Sequence, residues 1–348
     1  MSDQAPAIAV DGLWQVFGAN AEQALAEEKA KGATSAEVAS ALRARGLVPA
    51  VQDATFEVGQ GELFVIMGLS GSGKSTLIRG ISRLVEPTAG GVKIAGEDIL
   101  KASKKRMTQL RRETLGMVFQ HFGLFPHMKV IDNVAFPLKV CGMGREARHA
   151  KVQSIIEMVG LAGKEQNYPR ELSGGQRQRV GIARSLAGDC DVWFLDEPFS
   201  ALDPLIRRQL QDEFLDIQEK LKTSIVFITH DIAEALKLAD RIAIMRDGQI
   251  VQIGTPTEIV LNPVDDYVRE FARDIPKGRH MKLAAVMEPA GSDAKPTKGL
   301  ELRANMTLDE ALANCTLSLD PMEVKDGEGK VVGLLRPDAL SRALGDTA

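Results

Sequence analysis

The feature that most constrains this fold is the segment 68–75, which reads GLSGSGKS and matches the phosphate-loop pattern G-x-x-x-x-G-K-[ST]. That pattern requires a strand before it and a helix after it. The apolar run 63–67 is short and rich in branched and aromatic residues, as in a buried parallel strand. Apolar residues then recur at helical spacing from Leu77 to Leu84. The order strand, loop, helix predicts an α/β fold that binds a nucleoside triphosphate.

Each residue type in the loop has a chemical role. Glycines let the backbone curl around phosphates so that N–H groups point inward, and the N-terminus of the next helix adds positive potential. We expect Lys74 to contact the β- and γ-phosphates and the Ser75 hydroxyl to bind Mg²⁺. The expected nucleotide-binding residues of the loop are Gly68, Ser70, Gly71, Ser72, Gly73, Lys74, Ser75 and Thr76.

Further motifs follow the loop. In chain order they are Gln120 after the run 115–119, Leu-Ser-Gly-Gly-Gln at 172–176, the acids Asp196 and Glu197 after the run 192–195, Ser-Ala-Leu-Asp at 200–203, and His230 after the run 224–229. Singly they have ordinary interpretations, since an acid pair before Pro198 suits a helix N-terminus and a lone histidine is usually structural. Together, in this order and spacing, they resemble the ATP-binding-cassette (ABC) ATPases, the engines of ABC transporters, over roughly residues 8–272.

The resemblance implies a distinct role for each side chain near the nucleotide. Asp196 would reach Mg²⁺ through water, and Glu197 would act as general base or orient the attacking water. Gln120 would reach both the metal and the water, and His230 would contact the γ-phosphate. The expected metal ligands are Ser75, Gln120 and Asp196, and the expected catalytic residues are Lys74, Gln120, Glu197 and His230.

The resemblance also implies a dimer, through the segment 172–176. Its glycines permit close backbone approach at a helix N-terminus, which suits a γ-phosphate. In ABC ATPases that phosphate belongs to the partner subunit, so two cassettes enclose two ATP molecules head to tail. The resemblance assigns Ser173, Gly174, Gly175, Gln176 and Asp203 to this shared site. Because the chain has one phosphate loop, a second copy of the chain is expected to supply the other.

An aromatic residue upstream of the loop normally stacks on adenine in this family. Phe17 occupies the matching position, where the family usually has tyrosine, and only a ring face is needed. Trp14 is the other candidate for stacking on adenine. The alternative for either aromatic residue is packing in the hydrophobic core. We expect Phe17 to be the adenine contact.

Composition predicts a protein that is not itself embedded in a membrane. The chain has 348 residues, of which 44% are hydrophobic, a net charge of −4 and three cysteines. No apolar run approaches the roughly 18 residues that span a bilayer. The N-terminus lacks a signal-peptide pattern, the cysteines lack metal-binding spacing, and the net charge argues against nucleic-acid binding. We expect a cytoplasmic protein held peripherally at the inner face of the cell membrane by its partners.

An insertion at about 19–50 distinguishes the chain from a minimal cassette. The segment 34–37 is a helix-capping box, and Gly46 can end the helix that follows. A helical hairpin here, before a strand starting near Val51, together with the segments 67–71 and 125–136, resembles the quaternary-amine subfamily of ABC importers. An ordinary surface insertion is the alternative.

The C-terminal part predicts a small additional module. Residues 275–300 have the composition of a linker. Thr307 and Glu310 can cap a helix, 324–335 has the pattern of a strand pair, and Asp338 can start a last helix. The region 301–348 resembles part of one cystathionine-β-synthase (CBS)-type regulatory module. We expect this region to have a regulatory role or to stabilise a dimer. The alternative is an evolutionary remnant that only packs against the rest of the protein.

The expected architecture is an α/β P-loop NTPase of the ABC cassette type over residues 1–274. It would combine a mixed sheet, an antiparallel β subdomain and a helical signature subdomain, with a hairpin turn at Asp247-Gly248. The segment 121–140 is apolar and aromatic between surface motifs, which suits a groove for a cytoplasmic helix of a permease. Core packing of Phe122, Leu124 and Phe125 is the alternative.

The predicted function is ATP hydrolysis that drives uptake of a quaternary amine such as glycine betaine, proline betaine or choline. An importer for another small solute, such as proline, histidine or an amine oxide, is one alternative, and an ABC ATPase without a transport role is another. The expected cofactors are ATP and Mg²⁺. The expected partners are permease subunits and, indirectly, a periplasmic or extracellular substrate-binding protein.

Overall fold

A computed structural model describes residues 5–118, 123–188, 190–200 and 202–273, with shorter C-terminal pieces. Those pieces are 283, 286–289, 297–304, 306–314, 322–326 and 329–336. Gln120, Phe122 and the predicted helix from Asp338 therefore lie outside the described residues. The chain divides into two compact units, Met1–Asp231 with Leu238–Ile253, and Ile232–Lys237 with Gly254–Ala348.

The elements are numbered here in chain order. The strands are β1 (Ile8–Phe17), β2 (Val48–Val58), β3 (Leu63–Met67), β4 (Ala89–Ile94), β5 (Glu97–Asp98), β6 (Leu115–Val118), β7 (Val192–Asp196), β8 (Ser224–Thr229), β9 (Arg241–Arg246), β10 (Gln249–Gly254), β11 (Glu288–Pro289), β12 (Thr297–Arg303), β13 (Met322–Lys325) and β14 (Val331–Leu335). The α-helices are α1 (Ala21–Lys29), α2 (Ser35–Ala44), α3 (Lys74–Ile81), α4 (Lys104–Glu113), α5 (Val130–Val134), α6 (Phe136–Val140), α7 (Arg145–Met158), α8 (Gly174–Leu186), α9 (Pro204–Leu221), α10 (Ile232–Leu238), α11 (Pro256–Leu261), α12 (Asp266–Arg273) and α13 (Leu308–Asn314).

The first unit is built around a six-stranded sheet in the order β10-β9-β3-β8-β7-β6. β3 lies parallel to β8 and β9, and β7 lies parallel to β6 and β8. The strands β3, β7 and β8 are buried along their whole length, so their sequences are continuous apolar runs. Asp247 and Gly248 both have positive φ, as a two-residue hairpin turn requires, and β10 returns along the edge. The predicted mixed sheet is confirmed.

A second, antiparallel sheet covers the first. Its order is β2-β1-β4-β5, with β1 antiparallel to both β2 and β4. Phe56 of β2 stacks on Phe64 of β3 with ring centroids 5.0 Å apart, and apolar residues of both sheets form one buried cluster. The predicted antiparallel subdomain is therefore joined to the mixed sheet by a shared hydrophobic core.

The insertion between β1 and β2 is the predicted helical hairpin. Thr34 caps α2 reciprocally: the Glu37 amide donates to Thr34 Oγ1, and the Thr34 amide donates to Glu37 Oε2 at 2.8 Å. The hairpin has a separate buried core that includes Trp14, Leu25 and Leu42. The helices cover residues 21–44, and β2 starts at Val48, three residues before the predicted strand start.

The loop after α3 differs from the prediction. α3 ends at Ile81, and Arg83 turns the chain with a φ of +50°. Leu84, which helical spacing had assigned to the same apolar face, is 45% exposed beyond the helix end.

The helices α5 to α8 form a helical subdomain, in which α5 contacts both α7 and α8. The Leu-Ser-Gly-Gly-Gln segment leads into the N-terminus of α8. No helix within the described ranges is long and apolar enough to cross a membrane.

The second unit contains a four-stranded sheet in the order β11-β14-β13-β12. β13 and β14 pair antiparallel, as the pattern of 324–335 predicted. Thr307 and Glu310 cap α13 through the predicted pair of contacts. Strand β11 lies inside 275–300 and β12 begins there, so the predicted linker contains regular structure.

Candidate nucleotide-binding site

The phosphate loop joins the carboxyl end of β3 to the N-terminus of α3 and is held between two other backbone segments. A Cβ atom at Gly68 would lie 2.3 Å from the carbonyl oxygen of Met245, and one at Gly73 would lie 2.2 Å from the carbonyl oxygen of Ala50. Both glycines have positive φ, +156° and +101°. Only glycine fits at either position, because a side chain would collide with backbone atoms.

Lys74 is buried inside the loop. Its ammonium group donates to the carbonyl oxygens of Gly68 at 2.8 Å and Leu69 at 2.9 Å. Burial lowers the pKa of Lys74, and the nearby carboxylates of Glu197 and Asp196 oppose that effect. An added anion would favour the charged ammonium further, so this environment suits a phosphate group.

Ser75 and Asp196 bring two oxygen donors together. The Ser75 hydroxyl donates to Asp196 Oδ1 at 2.9 Å, across from the first turn of α3 to the end of β7. Asp196 is buried, with Arg79 Nη2 at 3.9 Å from its other oxygen. A hydroxyl and a carboxylate are ligands of the type that Mg²⁺ prefers. No cluster of three or more histidines, cysteines or acids forms a metal site within the described ranges.

Glu197 and His230 form a pair on the opposite wall. His230 Nδ1 lies 3.0 Å from Glu197 Oε2. Glu197 has a φ of +47°, a left-handed conformation that is uncommon for a residue with a side chain and is concentrated at functional sites. The side chain of Glu197 is 17% exposed, whereas that of His230 is 55% exposed. The carboxylate is thus oriented by the imidazole at the edge of an open cavity.

These groups line one cavity of about 600 Å³. Its lining residues are Ala50, Leu69, Ser70, Gly71, Gly73, Lys74, Ser75, Thr76, Glu197 and His230. Gly68 and Ser72 belong to the same loop, and the adjoining Asp196 contacts Ser75. Sequence analysis missed Ala50, because no local pattern marks a small residue of β2 as the backbone that Gly73 approaches.

The two candidate adenine contacts have different environments. Trp14 is fully buried in the core of the insertion, where its indole N–H donates to Asp53 Oδ1 at 3.3 Å. Lys29 Nζ lies 5.5 Å from the ring centroid. Trp14 therefore has the core role, and the rival assignment is excluded. Phe17 is 43% exposed at the end of β1, opposite the exposed Val48, and it remains the predicted adenine contact.

The residues of the Leu-Ser-Gly-Gly-Gln segment lie apart from this cavity. Ser173 caps α8 reciprocally with Gln176, and Asp203 caps α9 by accepting from the Ile206 amide at 3.1 Å. A Cβ atom at Gly174 would have only Leu202 Cδ2 nearby, at 4.0 Å, whereas one at Gly175 would lie 2.7 Å from Ile206 Cγ2. Gly174 is thus the open position, and Gly175 also allows α8 to pack on α9.

Comparison with known proteins gives consistent similarities. A family model described as ABC transporter matches residues 51–200. The trimethylamine N-oxide transport system ATP-binding proteins of Pelagibacter ubique and Ruegeria pomeroyi are 47% and 49% identical over 98% and 95% of this chain, and 97% and 94% of their own lengths. The glycine betaine transport ATP-binding protein of Bacillus subtilis is 44% identical over 88% of this chain and 73% of its own length.

Solved structures agree with this fold. A dimeric, post-hydrolysis ATP-binding cassette bound to ADP and Pi has a TM-score of 0.60 and 28% identity, over 72% of this chain and 98% of its own. A component of an ABC transporter complex from Clostridium perfringens has a TM-score of 0.61 at 24% identity, over 74% of this chain and 92% of its own, and supports the fold alone. The expected α/β cassette is confirmed.

The two signature glycines are expected to respond differently to substitution. Gly174→Ala should leave the melting temperature unchanged or slightly higher, because alanine meets open space and favours a helix. If Gly174 faces a phosphate, the same change should reduce ATP hydrolysis about tenfold or more. Gly175→Ala should cost about 1–3 kcal/mol of stability through the clash with Ile206. Thermal unfolding and steady-state ATPase assays measure both effects, and full hydrolysis by Gly174→Ala would contradict the phosphate-facing assignment.

Proposed function

Because this chain belongs to the ABC transporter family, we propose that it is the ATP-hydrolysing subunit of an importer for a small methylated amine. The main support is the convergence of Lys74, the Ser75–Asp196 pair and the Glu197–His230 pair around the phosphate-loop cavity. A nucleotide-sensing module would not need a carboxylate oriented at the γ-phosphate end of the cavity.

The phosphate-binding residues have separate tasks. Lys74 and the backbone N–H groups at the N-terminus of α3 would hold the phosphates. Ser75 and Asp196 would hold Mg²⁺, with Gln120 as a further proposed ligand. The ion, when bound, neutralises charge on the β- and γ-phosphates.

Glu197 would act on the attacking water and His230 on the phosphate. His230 Nδ1–H would donate to the Glu197 carboxylate, and in the imidazolium form the Nε2–H of the same ring could donate to a γ-phosphate oxygen. One histidine would then hold both the general base and the γ-phosphate that the water attacks, so that water and phosphorus are aligned before reaction.

The second half of the site would come from another copy of the chain. Ser173, Gly174, Gly175 and Gln176 occupy a helix N-terminus, where backbone N–H groups favour an anion. None of them lines the cavity of its own chain. A head-to-tail dimer, with Asp203 at the seam, would bring this N-terminus to the γ-phosphate and would explain why the segment is separate.

The solute class is proposed from the named relatives. Two transport trimethylamine N-oxide by name, and they match nearly the whole chain. The glycine betaine transport protein of Bacillus subtilis and the glycine betaine/proline betaine transport protein of Salmonella typhimurium are each 44% identical, and the alignments cover 73% and 82% of their lengths. Quaternary amines and amine oxides both carry a methylated nitrogen, and the higher identity to the trimethylamine N-oxide transport proteins supports an amine oxide as the second candidate solute.

The permease would dock beside Phe125. Asn133, which is fully buried, accepts from the Phe125 amide at 2.8 Å and donates to the carbonyl oxygens of Phe125 and Met128. Phe125 packs on Phe136 with ring centroids 4.4 Å apart and remains partly exposed. A partly exposed aromatic on a fixed backbone suits a partner helix. Through it the subunit would sit at the cytoplasmic face of the membrane, in a complex served by a substrate-binding protein.

The domain arrangement is likewise proposed. Residues 1–274 would be the ABC domain, 275–300 a connection and 301–348 a CBS-like regulatory tail. The antiparallel pair β13–β14 and the capped helix α13 are compatible with part of such a module.

The ATPase activity and the solute class can be tested in one assay. In liposomes with its permease and binding protein, the wild-type chain should show ATPase activity stimulated by trimethylamine N-oxide or glycine betaine. Glu197→Gln should lower that activity by about a hundredfold or more, because the amide cannot act as a base. Glu22→Gln, an exposed acid in α1, is the matched control. Activity that depends on Glu197 but ignores methylated amines would discard the solute class alone.

The docking surface predicts uncoupling. Phe125→Asp should leave the ATPase activity of the isolated subunit within about twofold and abolish solute uptake, because a charge would enter an apolar interface. Met158→Asp, at another partly exposed apolar residue, should leave uptake intact. Phe125→Ala removes the aromatic contact without adding a charge, so it separates the effect of the lost ring from that of the added carboxylate. Normal uptake by Phe125→Asp would overturn the docking assignment.

The regulatory role of the tail can be separated from packing. Removing residues 275–348 should leave ATP hydrolysis intact and abolish the response of uptake to internal salt concentration. The measurement is uptake by reconstituted transporter as that concentration rises. A response that is the same with and without the tail would eliminate the regulatory proposal.

A further inference from the structure

The inserted hairpin is fixed to the sheet that borders the nucleotide cavity. At the start of α2, Ser35 Oγ donates to Asp53 Oδ2 of β2 at 2.6 Å. Beyond the end of α2, a Cβ atom at Gly18 would lie 2.4 Å from Leu47 Cδ2, so β1 and the hairpin meet there without room for a side chain. The chain on either side of α2 is therefore held against the sheet that contributes Ala50 to the cavity.

The carbonyl oxygen of Asp247, in the β9–β10 turn, accepts hydrogen bonds from two distant side chains. Asp247 has a φ of +51°, a left-handed conformation that costs energy for a residue with a side chain. Gln52 of β2, which is 4% exposed, donates to this oxygen through Nε2 at 2.5 Å. Arg43, in the last turn of α2, donates to the same oxygen through Nη2 at 3.4 Å. One donor thus comes from the core sheet and the other from the inserted hairpin.

The β9–β10 turn also holds the phosphate loop. The Gly248 amide donates to the Ser72 carbonyl oxygen at 3.0 Å, and the Gly248 carbonyl oxygen accepts from the Gln52 amide at 2.8 Å. A Cβ atom at Gly248 would lie 2.9 Å from the Ala50 carbonyl oxygen, against which Gly73 also packs. A shift of the turn would therefore disturb the contacts that fix Ser72 and Gly73.

We infer that Gln52 and Arg43 are positioning residues for nucleotide binding, and that the inserted hairpin supports the site instead of being an ordinary surface insertion. The inference rests on the nucleotide site described above. Neither side chain lines the cavity, so each acts through the Asp247 carbonyl and the turn. Without these donors the turn and the loop populate further conformations, and nucleotide binds only the fraction with the competent shape. Gln52 has the larger effect, because its hydrogen bond is short and part-buried whereas that of Arg43 is long and exposed.

Binding of MgATP and MgADP to the purified chain tests this inference. Gln52→Met, which keeps the side-chain length and removes the donor, should weaken binding of both nucleotides about tenfold in titration calorimetry. Arg43→Met should weaken it about threefold, and Arg43→Lys should recover part of that loss because its ammonium group can still donate. Arg45→Met is the matched control. Arg45 pairs with Glu27 and Glu28 inside the hairpin, so this variant should bind as the wild type does.

Steady-state hydrolysis separates positioning from chemistry and from simple loss of stability. In Gln52→Met the KM for ATP should rise, whereas kcat should stay within about twofold because Glu197 and His230 are unaltered. Val92→Ala, which leaves a cavity in the core beneath the same antiparallel sheet, is the stability control. It should lower the melting temperature and leave the KM unchanged.

The outcomes are distinguishable from failure of the transport proposal, because the assays need neither a permease nor a solute. Unchanged nucleotide affinity in both Gln52→Met and Arg43→Met would overturn the inference. Weaker binding by Gln52→Met alone would refute the part of the hairpin. Arg43 is exposed, so its variants decide that part even if Gln52→Met fails to fold. A wild-type chain that does not bind MgATP would contradict the nucleotide site itself.

Discussion

Backbone packed directly against backbone is the constraint on which the nucleotide site depends. The loop lies between β2 and the β9–β10 hairpin, with glycine wherever the approach is closest. It is fastened there by hydrogen bonds from the Gly248 amide to the Ser72 carbonyl at 3.0 Å and from the Gln52 amide to the Gly248 carbonyl at 2.8 Å. Two segments that are distant in sequence, β2 and the β9–β10 hairpin, thus determine one loop conformation. The positions of Lys74 and Ser75 follow from it, because both begin the helix that the loop feeds.

The same chain contains two arrangements suited to an anion that do not meet. The phosphate loop, Glu197 and His230 share one cavity, and the N-terminus of α8 lies outside it. Each arrangement is stable by itself, since the first is held by the mixed sheet and the second by a capping box and by packing on α9.

How much could be predicted from sequence depended on whether the determining contact was local. The capping boxes at Thr34 and Thr307 join residues three apart, so they were predicted. The buried strands of the mixed sheet were also predicted, because each is a continuous apolar run. The preference for Phe17 over Trp14 rested on the family resemblance, because the burial of each ring depends on which face of β1 the inserted hairpin covers. The difference between Gly174 and Gly175 comes from α9, and the role of Ala50 comes from its approach to Gly73, which no local pattern reveals.

The way Lys74 is held has a thermodynamic consequence. An ammonium group has three donors, of which two make good hydrogen bonds to loop carbonyls and the third has only Ser72 Oγ at 3.5 Å. A phosphate oxygen can therefore take the third donor without breaking either of the other two. Backbone contacts with β2 and the β9–β10 hairpin already fix the loop, so little further conformational entropy is lost when nucleotide binds. That saving is the same for every nucleotide whose phosphate reaches Lys74, so a preference for ATP over ADP has to come from groups that only the γ-phosphate contacts.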